Sequence, residues 1–397
     1  MNFRVLIRVS LVASGSFLLL IPSRVSGFGK PGHELVGAIA DNQMKQSPAA
    51  LAQLKKTIGN LTLEQLAPVP DAIRSWDDLP DEQKALKKVT KLTDEKGRLV
   101  ANFLPSKIRQ QLWEYFRANL VKVDGQERHH AVHFDDVTVA DGTPMKYEDG
   151  AIGTKADIDL VNTIAYCYHV LHHDAAPDPL NRKITPAVAV ILLAHLVGDL
   201  HQPLHVGAEY FQLDGTKVVF VDPAHVANAR PDRGGNLVAV RVPGFGNGHS
   251  AGPSMIPGAS QENLHAVWDD DTVDEAMSMW RAQFHLASNS ARSGVILAAM
   301  ANGPVKGVLP ASSAGMDGVV RGWATEILPL AKEARARLIF SAYPANVDNP
   351  KHRPIAVSGV RPGENYMTWA GGKISEELLR GGYRLAWLIQ QAQLPAK

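Results

Sequence analysis

This sequence has one cysteine, almost no net charge and few long apolar runs. The single cysteine is Cys167, so no disulfide can form within the chain. It lies in an apolar, helix-like run, where we expect a packed hydrophobic side chain rather than a nucleophile. The 41 Lys and Arg residues nearly cancel the 40 Asp and Glu residues. The net charge therefore gives no general attraction to polyanions, and binding to one depends on local positive charge such as a metal ion.

The N-terminal segment is basic and then apolar. Arg4 and Arg8 precede an uncharged, mostly apolar stretch at residues 9–22, and small residues lead up to Gly27. A membrane span needs about 20 apolar residues, so this stretch is too short for one. We predict that residues 1–27 are a signal peptide removed after Gly27, with an uncleaved anchor as the alternative. The prediction implies a secreted or periplasmic protein without a membrane anchor after processing.

Helical patterns dominate the rest of the chain, and we predict a mainly α-helical fold in one domain over residues 28–397. Strand signals are few: residues 217–221 and 237–242 are predicted to pair as a small β-hairpin. Residues 76–128, which are highly charged, and residues 243–260, which are rich in Gly, Pro and Ser, are predicted insertions. The predicted helices cover residues 33–54, 108–116, 158–172, 186–200, 263–284, 319–340 and 374–391.

The first candidate site lies on the apolar helix predicted at residues 186–200. His195 and Asp199 are four residues apart, so they project from the same face of a helix. A buried carboxylate beside an imidazole needs a compensating charge, which a divalent metal ion supplies. Pro203 ends the helix, and the turn that follows brings His205 back towards its end. A hydrogen-bonded His–Asp pair in the core is the alternative for this pattern taken alone.

A second copy of the spacing favours the metal. His265 and Asp269 repeat the HxxxD pattern on another predicted helix, which gives two pairs of ligand-type residues facing inward. Imidazole together with carboxylate suits zinc. The lack of cysteine ligands argues against a purely structural zinc site, because catalytic zinc sites keep a position open for water. Clusters of such ions stabilise both the attacking and the leaving oxygen of a phosphoryl displacement.

These motifs resemble those of the S1/P1 nuclease family. Its members are zinc-dependent single-strand nucleases and 3′-nucleotidases, and they share an α-helical fold with bacterial zinc phospholipase C. The chain carries HxxGDxHQPLH intact from His195 to His205, and NLHxxWD from Asn263 to Asp269. The likeness runs in the family's order from Phe28 to Gln391, and further motifs lie at residues 28–33, 70–74, 132–136, 233–236, 323–326 and 382–386.

The resemblance implies three zinc ions, two of which share Asp199 as a ligand. The third ion is expected to use the α-amino and carbonyl groups of Phe28, which becomes the first residue only if the leader is cut after Gly27. A free α-amine with a pKa of about 7.7–8.0 can bind a metal near neutral pH. The implied ligands are Asp71, His133, His195 and Asp199 for one ion, His205, His265 and Asp269 for another, and Phe28, His33 and Asp199 for the third.

The resemblance also implies catalytic and substrate-binding residues. A zinc-bridging hydroxide oriented by Asp71 is expected to attack phosphorus, and Arg74 to neutralise the developing charge. Phe134 is expected to stack a base and Asp136 to accept hydrogen bonds from it, although core packing is an equal alternative for Phe134. Asn236 and Asp271 are expected near the substrate. Many relatives carry Asn at the position of Asp271, so the carboxylate there is expected to repel phosphate.

The implied substrates are single-stranded DNA, RNA or nucleotides, and the oligomeric state stays open. A zinc phospholipase C of the same fold is the rival enzyme, and an inactive zinc-binding secreted protein is the rival non-enzyme. Lys84, Lys87, Lys88 and Lys91 are candidates for a basic rim that binds a strand, with a solvated helix face as the alternative. His129 and His130 are interpreted as mere neighbours of His133, and His201 as a residue that orients its loop.

Overall fold

The computed structural model describes residues 28–76, 104–123, 125–155, 157–240, 263–301, 308–309, 315–343 and 353–392. The predicted signal peptide at residues 1–27, the lysines at positions 84–91 and the loop at residues 243–260 lie outside these ranges, so those predictions stay untested. Within the described part of the chain, no helix is both long enough and apolar enough to cross a membrane.

Helices make up most of the described structure, and the prediction of a mainly α-helical fold is confirmed. A 3₁₀ turn at Arg74–Trp76 follows α4, and a π-helical turn at Val267–Asp271 joins α10 to α11. The helices are α1 Lys30–Met44, α2 Pro48–Ile58, α3 Leu63–Leu66, α4 Val69–Ile73, α5 Ser106–Ala118, α6 Arg128–Ala131, α7 Leu160–His172, α8 Pro186–Leu200, α9 Pro203–Val206, α10 Leu264–Ala266, α11 Thr272–Gln283, α12 Arg292–Ala301, α13 Met316–Ala336 and α14 Tyr366–Ala392.

The helix α8 is the centre of the fold. Thr185 caps its first turn by accepting a hydrogen bond from the backbone N–H of Val188, and Pro186 occupies the first turn, where a missing N–H costs nothing. Every residue from Ala187 to Leu200 is buried. A helix that is apolar all round has to be covered on every side, and α1, α7 and α14 are among the helices that pack against it. His195 and Asp199 therefore lie inside the protein.

Most of the predicted helices have different bounds in the structure, and the last, predicted at residues 374–391, spans Tyr366–Ala392. Two of the differences have clear physical reasons. The helix predicted at residues 33–54 is two helices, because Pro48 cannot continue α1 and instead starts α2. The segment predicted as helix at residues 319–340 begins earlier, at Met316, and ends at Ala336, after which the chain is extended. The last residues of the predicted helix belong to the strand Leu338–Ala342, which pairs antiparallel with the strand Ile355–Val360. Such a pairing overrides a local helical pattern.

The predicted hairpin between residues 217–221 and 237–242 is wrong. β6 pairs with β5 across a two-residue turn, where Gly215 adopts a φ of +59°. β8 pairs instead in parallel with β10, a partner that local sequence patterns cannot reveal. The strands are β1 Lys122–Val123, β2 Gln126–Glu127, β3 Val137–Thr138, β4 Gly207–Ala208, β5 Tyr210–Asp214, β6 Lys217–Phe220, β7 Arg230–Pro231, β8 Val238–Val240, β9 Leu338–Ala342 and β10 Ile355–Val360.

The described part of the predicted insertion at residues 76–128 packs on the core. α5 buries one side and rests against α8. Trp76, at the end of the 3₁₀ turn, lies with its ring 5.6 Å from that of Trp113 and 5.4 Å from that of Phe116. These rings form an aromatic cluster beside the segment that carries Asp71 and Arg74.

Candidate metal centre

The last two turns of α8 deliver the central residues of the site. His195 and Asp199 lie four residues apart on one face, with Nε2 of His195 3.2 Å from Oδ2 of Asp199. Gln202 caps the short helix α9 by accepting from the backbone N–H of Leu204. That turn returns His205 to within 3.8 Å of Oδ1 of Asp199, measured from Nδ1. The structure therefore brings the residues of the first motif together as their spacing predicts.

Asp71 and His133 complete one cluster around His195. Ligand atoms of these three residues all lie within 4.8 Å of one another. Oδ1 of Asp71 is 3.7 Å from Nε2 of His195 and 3.9 Å from Nδ1 of His133. Asp199 joins them through Oδ2, which lies 3.0 Å from Nδ1 of His133. The set equals the one that the resemblance implies for the first zinc ion.

His33, on α1, forms a second cluster with His195 and Asp199. Its ring stacks on that of His195 with centroids 3.7 Å apart, and its Nε2 lies 3.4 Å from Oδ1 of Asp199. Phe28 is fully buried, with its ring 6.2 Å from that of His33. The first residue of the predicted mature chain therefore lies beside the cluster that the resemblance assigns to its backbone groups.

His205, His265 and Asp269 form a third cluster. Asp269 lies on the π-helical turn, a rare element that is frequent at functional sites. Its Oδ2 is 3.4 Å from Nε2 of His265, and its Oδ1 is 3.9 Å from Nε2 of His205. Nε2 of Gln202 donates to Oδ1 of Asp269 at 2.7 Å. Gln202 thus fixes the carboxylate of a candidate ligand.

Backbone carbonyls set the orientation of the candidate histidine ligands. Nδ1 of His195 donates to the carbonyl oxygen of Ala67 at 2.7 Å, and Nδ1 of His265 donates to that of Gly234 at 2.7 Å. Nδ1 of His205 donates to the carbonyl oxygen of His133 at 2.6 Å. Because a carbonyl only accepts, the proton of each neutral ring is on Nδ1, and Nε2 keeps its lone pair for a metal.

Gly234 allows that carbonyl to reach His265. Its φ is +56°, a conformation that side chains disfavour, and a Cβ there would lie 2.1 Å from the carbonyl oxygen of Leu204. Glycine is therefore required both by the backbone conformation and by the space. The loop at residues 233–236, which stands out in the sequence as Arg-Gly-Gly-Asn, orients the candidate ligand His265 through its backbone.

Burial shifts the pKa values of the clustered groups in opposite directions. It lowers the pKa of His33 and of His133, and the charge of His195 lowers both further. Burial also raises the pKa of Asp199 to about 6 and that of Asp269 well above its usual range. Neutral imidazoles are the ligand form, and the buried carboxylates need a cation to stay ionised. A divalent metal would supply that cation, and neutral His33 and His133 are ready to bind it.

The buried polar atoms of the centre fit zinc. Among the described residues, neither ring nitrogen of His33 has a hydrogen-bond partner, and the same is true of Oδ1 of Asp199. Leaving such atoms without a partner costs about 1–3 kcal/mol for each group, more when it is charged. A metal ion held between these atoms removes that cost. Imidazole nitrogens and carboxylate oxygens are ligands that zinc accepts.

Arg74 extends the centre beyond the clusters. It is 3% exposed, and its Nη1 donates to Oδ1 of Asp71 at 3.2 Å. Its Nε donates to Nδ1 of His130 at 3.2 Å. Its Nη2 is buried and makes no hydrogen bond within the described residues. A buried guanidinium with an unpaired donor beside a candidate metal cluster suits an anionic oxygen of a ligand.

A cavity of about 280 Å³ opens beside His265. Phe134 and Asp136, the predicted base-binding residues, line it together with Lys155 and Arg233. Nζ of Lys155 lies 3.7 Å from the centroid of the Phe134 ring and donates to the carbonyl oxygen of Phe134 at 3.2 Å. Burial raises the pKa of Asp136 to about 6. The cavity therefore extends from the third cluster to the ring of Phe134, and the cationic Lys155 and the acidic Asp136 also line it.

Asn236 and Asp271, the other two predicted substrate-binding residues, lie outside the lining of this cavity. Nδ2 of Asn236 donates to the carbonyl oxygen of Arg233, and its Oδ1 accepts from Nδ2 of Asn263, which caps α10. Asp271 is fully buried at the end of the π-helical turn. Neither is among the described residues that line the cavity. The structure gives Asn236 a role in holding the loop against the helix that carries His265.

Sequence reasoning missed Gln202, Lys155 and the contact of His130. Gln202 had a signal, because it stands inside the HQPLH motif between two ligand-type residues. Lys155 had none, since it reaches the cavity from a separate loop. His130 was interpreted only as a neighbour of His133, yet it accepts a hydrogen bond from Arg74. Contacts between segments distant in sequence decide these roles.

The comparisons with known proteins identify the family of the chain. A family model described as S1/P1 Nuclease matches residues 28–393, nearly the whole chain. No curated protein matches the chain. Members of the matched family are in general zinc-dependent, and the match supports a nuclease that acts on phosphodiester bonds of nucleic acid. The chain belongs to the S1/P1 nuclease family.

Proposed function

We propose that the protein is a secreted endonuclease that hydrolyses single-stranded DNA or RNA with three bound zinc ions and also acts as a 3′-nucleotidase. The main support for this proposal is the cavity of about 280 Å³ between His265 and Phe134, which connects a candidate metal cluster to an aromatic ring. A nucleotide matches the two ends of this cavity, because its phosphate binds cations and its base stacks on a flat apolar face. The charged lining also suits a nucleotide better than the acyl chains of a phospholipid, because burying unpaired charge against lipid is costly.

The proposed metal ligands follow the clusters. One ion would be held by Asp71, His133, His195 and Asp199, a second by His205, His265 and Asp269, and a third by His33, Asp199 and the backbone groups of Phe28. Zinc bound there would supply positive charge for the phosphate and make water easier to deprotonate. The proposal includes one catalytic domain over residues 28–397 and removal of residues 1–27, since the α-amine of Phe28 exists only after that cut.

The protein's own groups have distinct proposed tasks in the hydrolysis. The water oxygen bonds to phosphorus and its proton passes to the carboxylate of Asp71. The bond from phosphorus to the 3′ oxygen breaks, its electron pair stays on the 3′ oxygen, and that oxygen takes up a proton from solvent to leave as a hydroxyl. Nη1 of Arg74 donates to Oδ1 of Asp71 at 3.2 Å, which orients the carboxylate that takes up the proton. Nη2 of Arg74, which has no partner among the described residues, would donate to a phosphate oxygen as negative charge builds up.

Base binding is proposed for Phe134 and Asp136. The ammonium of Lys155 lies over one face of the Phe134 ring, so a stacked base would use the opposite face or displace Lys155. Stacking of a base on an aromatic side chain contributes about 1–3 kcal/mol and tolerates any base. The carboxylate of Asp136 would accept hydrogen bonds from the base edge. Broad base tolerance is therefore expected.

The test compares substrates with one zinc-loaded preparation beginning at Phe28. We expect release of nucleotides from single-stranded DNA and RNA, slower cutting of duplex DNA, and release of phosphate from a 3′-nucleotide. An Asp71→Asn variant with its zinc retained is expected to lose almost all activity. Release of phosphocholine from phosphatidylcholine without cutting of nucleic acid would instead establish the phospholipase. Inertness towards all of these substrates would establish an inactive zinc-binding protein.

A further inference from the structure

His130 contacts the guanidinium group that the proposed mechanism uses. Nε of Arg74 donates to Nδ1 of His130 at 3.2 Å, although the two residues are 56 positions apart. Because Arg74 is always protonated and has no acceptor, Nδ1 of His130 must carry the lone pair, and the proton of the neutral ring is on Nε2. The hydrogen bond therefore defines one tautomer of His130.

The three nitrogens of the Arg74 guanidinium have different surroundings. Nε donates to His130, Nη1 donates to Asp71 at 3.2 Å, and Nη2 is buried without a partner in the described part of the chain. A planar guanidinium held at two of its nitrogens has a fixed orientation, so its third nitrogen also points in a fixed direction. Without His130 the group would be held at Nη1 alone and would be able to swing about that contact.

Aromatic side chains hold His130 in place. Its ring lies 4.4 Å from that of His129, which in turn lies 4.9 Å from the ring of Phe116 on α5. Phe116 packs on Trp76, whose ring is 5.4 Å away. Trp76 follows Arg74 by two residues on the same 3₁₀ turn. The two sides of the Arg74–His130 hydrogen bond are thus braced against the same helix of the predicted insertion.

We propose that His130 is a positioning residue for catalysis, which aims Nη2 of Arg74 at the phosphate by accepting the hydrogen bond from Nε. This inference rests on the proposed role of Arg74. It also gives the described part of the 76–128 segment a task, because α5 supports the ring that makes the contact. His130 itself touches neither substrate nor metal in this scheme.

The variants His130→Leu and His130→Asn separate positioning from packing. Leucine fills space without an acceptor, whereas the Oδ1 atom of asparagine replaces Nδ1 at a similar distance from the backbone. We expect His130→Leu to lower kcat on single-stranded DNA about 10- to 100-fold with little change in KM, since small misplacements of a catalytic group have effects of this size. His130→Asn should recover most of the loss. His225→Leu, at an exposed histidine, is the matched control and should keep wild-type kcat.

A double-mutant cycle tests whether the effect passes through Arg74. In an Arg74→Ala background, His130→Leu should cause no further loss of kcat, because the group that it positions is gone. An equal loss in both backgrounds, or a loss that follows a fall in zinc content or Tm, would overturn the inference. So would a fully active His130→Leu enzyme.

Nuclear magnetic resonance separates this inference from the proposed function. The Nε–H signal of Arg74, assigned with Arg74→Ala, should exchange slowly with water in the wild type and in His130→Asn, and rapidly in His130→Leu. That result supports the contact even in a protein that cuts no nucleic acid, in which case the proposed function alone fails. A rapidly exchanging Nε–H in the wild type contradicts the positioning role whatever the activity.

Discussion

Gly198 faces the imidazole of His33, and a Cβ at this position would lie only 2.8 Å from Nδ1 of that ring. Both residues are buried, His33 in the second candidate cluster and Gly198 on α8 beside it, so neither side has space to yield. Gly198→Ala is therefore expected to displace His33 from Asp199. The expected result is a loss of about one zinc ion per chain and at least tenfold lower activity, since a displaced ligand weakens the ion that it holds. Metal analysis by mass spectrometry on the purified protein measures the first quantity.

The control for this prediction is Gly322→Ala. Gly322 lies within α13, and a Cβ there meets no atom within 4 Å. Alanine is the better helix former by about 1 kcal/mol, so this variant should be as stable as the wild type or more so and keep its zinc. If Gly198→Ala also keeps its full zinc content, the close packing of His33 is not needed for metal binding.

The sequence alone predicts the central helix of the fold and, from spacing, two residue pairs of the candidate metal centre. The helix at residues 186–200 has the predicted bounds, because its cap, its first-turn proline and its unbroken apolar run all act locally. The pairs His195–Asp199 and His265–Asp269 also follow from spacing. The partners of β6 and β8, and the contact between Arg74 and His130, depend on segments far apart in the chain. Only the folded structure brings those together.

Asp199 links histidines of different clusters. It approaches His33 through Oδ1 at 3.4 Å and His133 through Oδ2 at 3.0 Å. Asp199→Asn keeps the volume but removes the charge, so we expect loss of more than one zinc ion and at least about 100-fold lower activity. Asp141→Asn is the control, because the side chain of Asp141 is 99% exposed. Activity that survives in Asp199→Asn at full zinc occupancy would remove Asp199 from the ligand set.

Gln202 should control the third cluster without being a ligand. Its Nε2 donates to Oδ1 of Asp269, and its Oε1 accepts from the backbone N–H of Leu204. Gln202→Leu removes both bonds and keeps similar bulk. We expect zinc affinity to fall about 10- to 100-fold, the usual effect of losing a group that orients a metal ligand. A zinc titration followed by calorimetry measures this, and an unchanged affinity would show that Asp269 needs no such support.

His169 joins the end of α7 to the start of α13. Its Nδ1 lies 2.8 Å from Oδ1 of Asp174, and its Nε2 lies 3.0 Å from Oδ1 of Asp317. Burial lowers the pKa of His169, but these carboxylates outweigh that effect and the net direction is upward. The stabilisation is therefore fully present below the unfolded pKa of about 6.5 and is lost as pH rises through the raised folded value.

The prediction from His169 concerns stability rather than activity. The difference in Tm between the wild type and His169→Gln should be larger at pH 6 than at pH 9, with both proteins loaded with zinc at each pH. Thermal unfolding followed by circular dichroism gives both values. A difference that stays constant across this range, or grows towards pH 9, contradicts the predicted ion pairs.

Zinc dependence of single-strand cleavage is the central claim, and a stepwise titration tests it directly. The chain beginning at Phe28 is stripped with a chelator, zinc is added back in measured amounts, and hydrolysis of single-stranded DNA is followed with the bound zinc per chain. We predict no activity in the stripped protein and full activity only as occupancy reaches about three ions per chain. Cleavage that persists without metal, or none at full occupancy, would contradict the proposal.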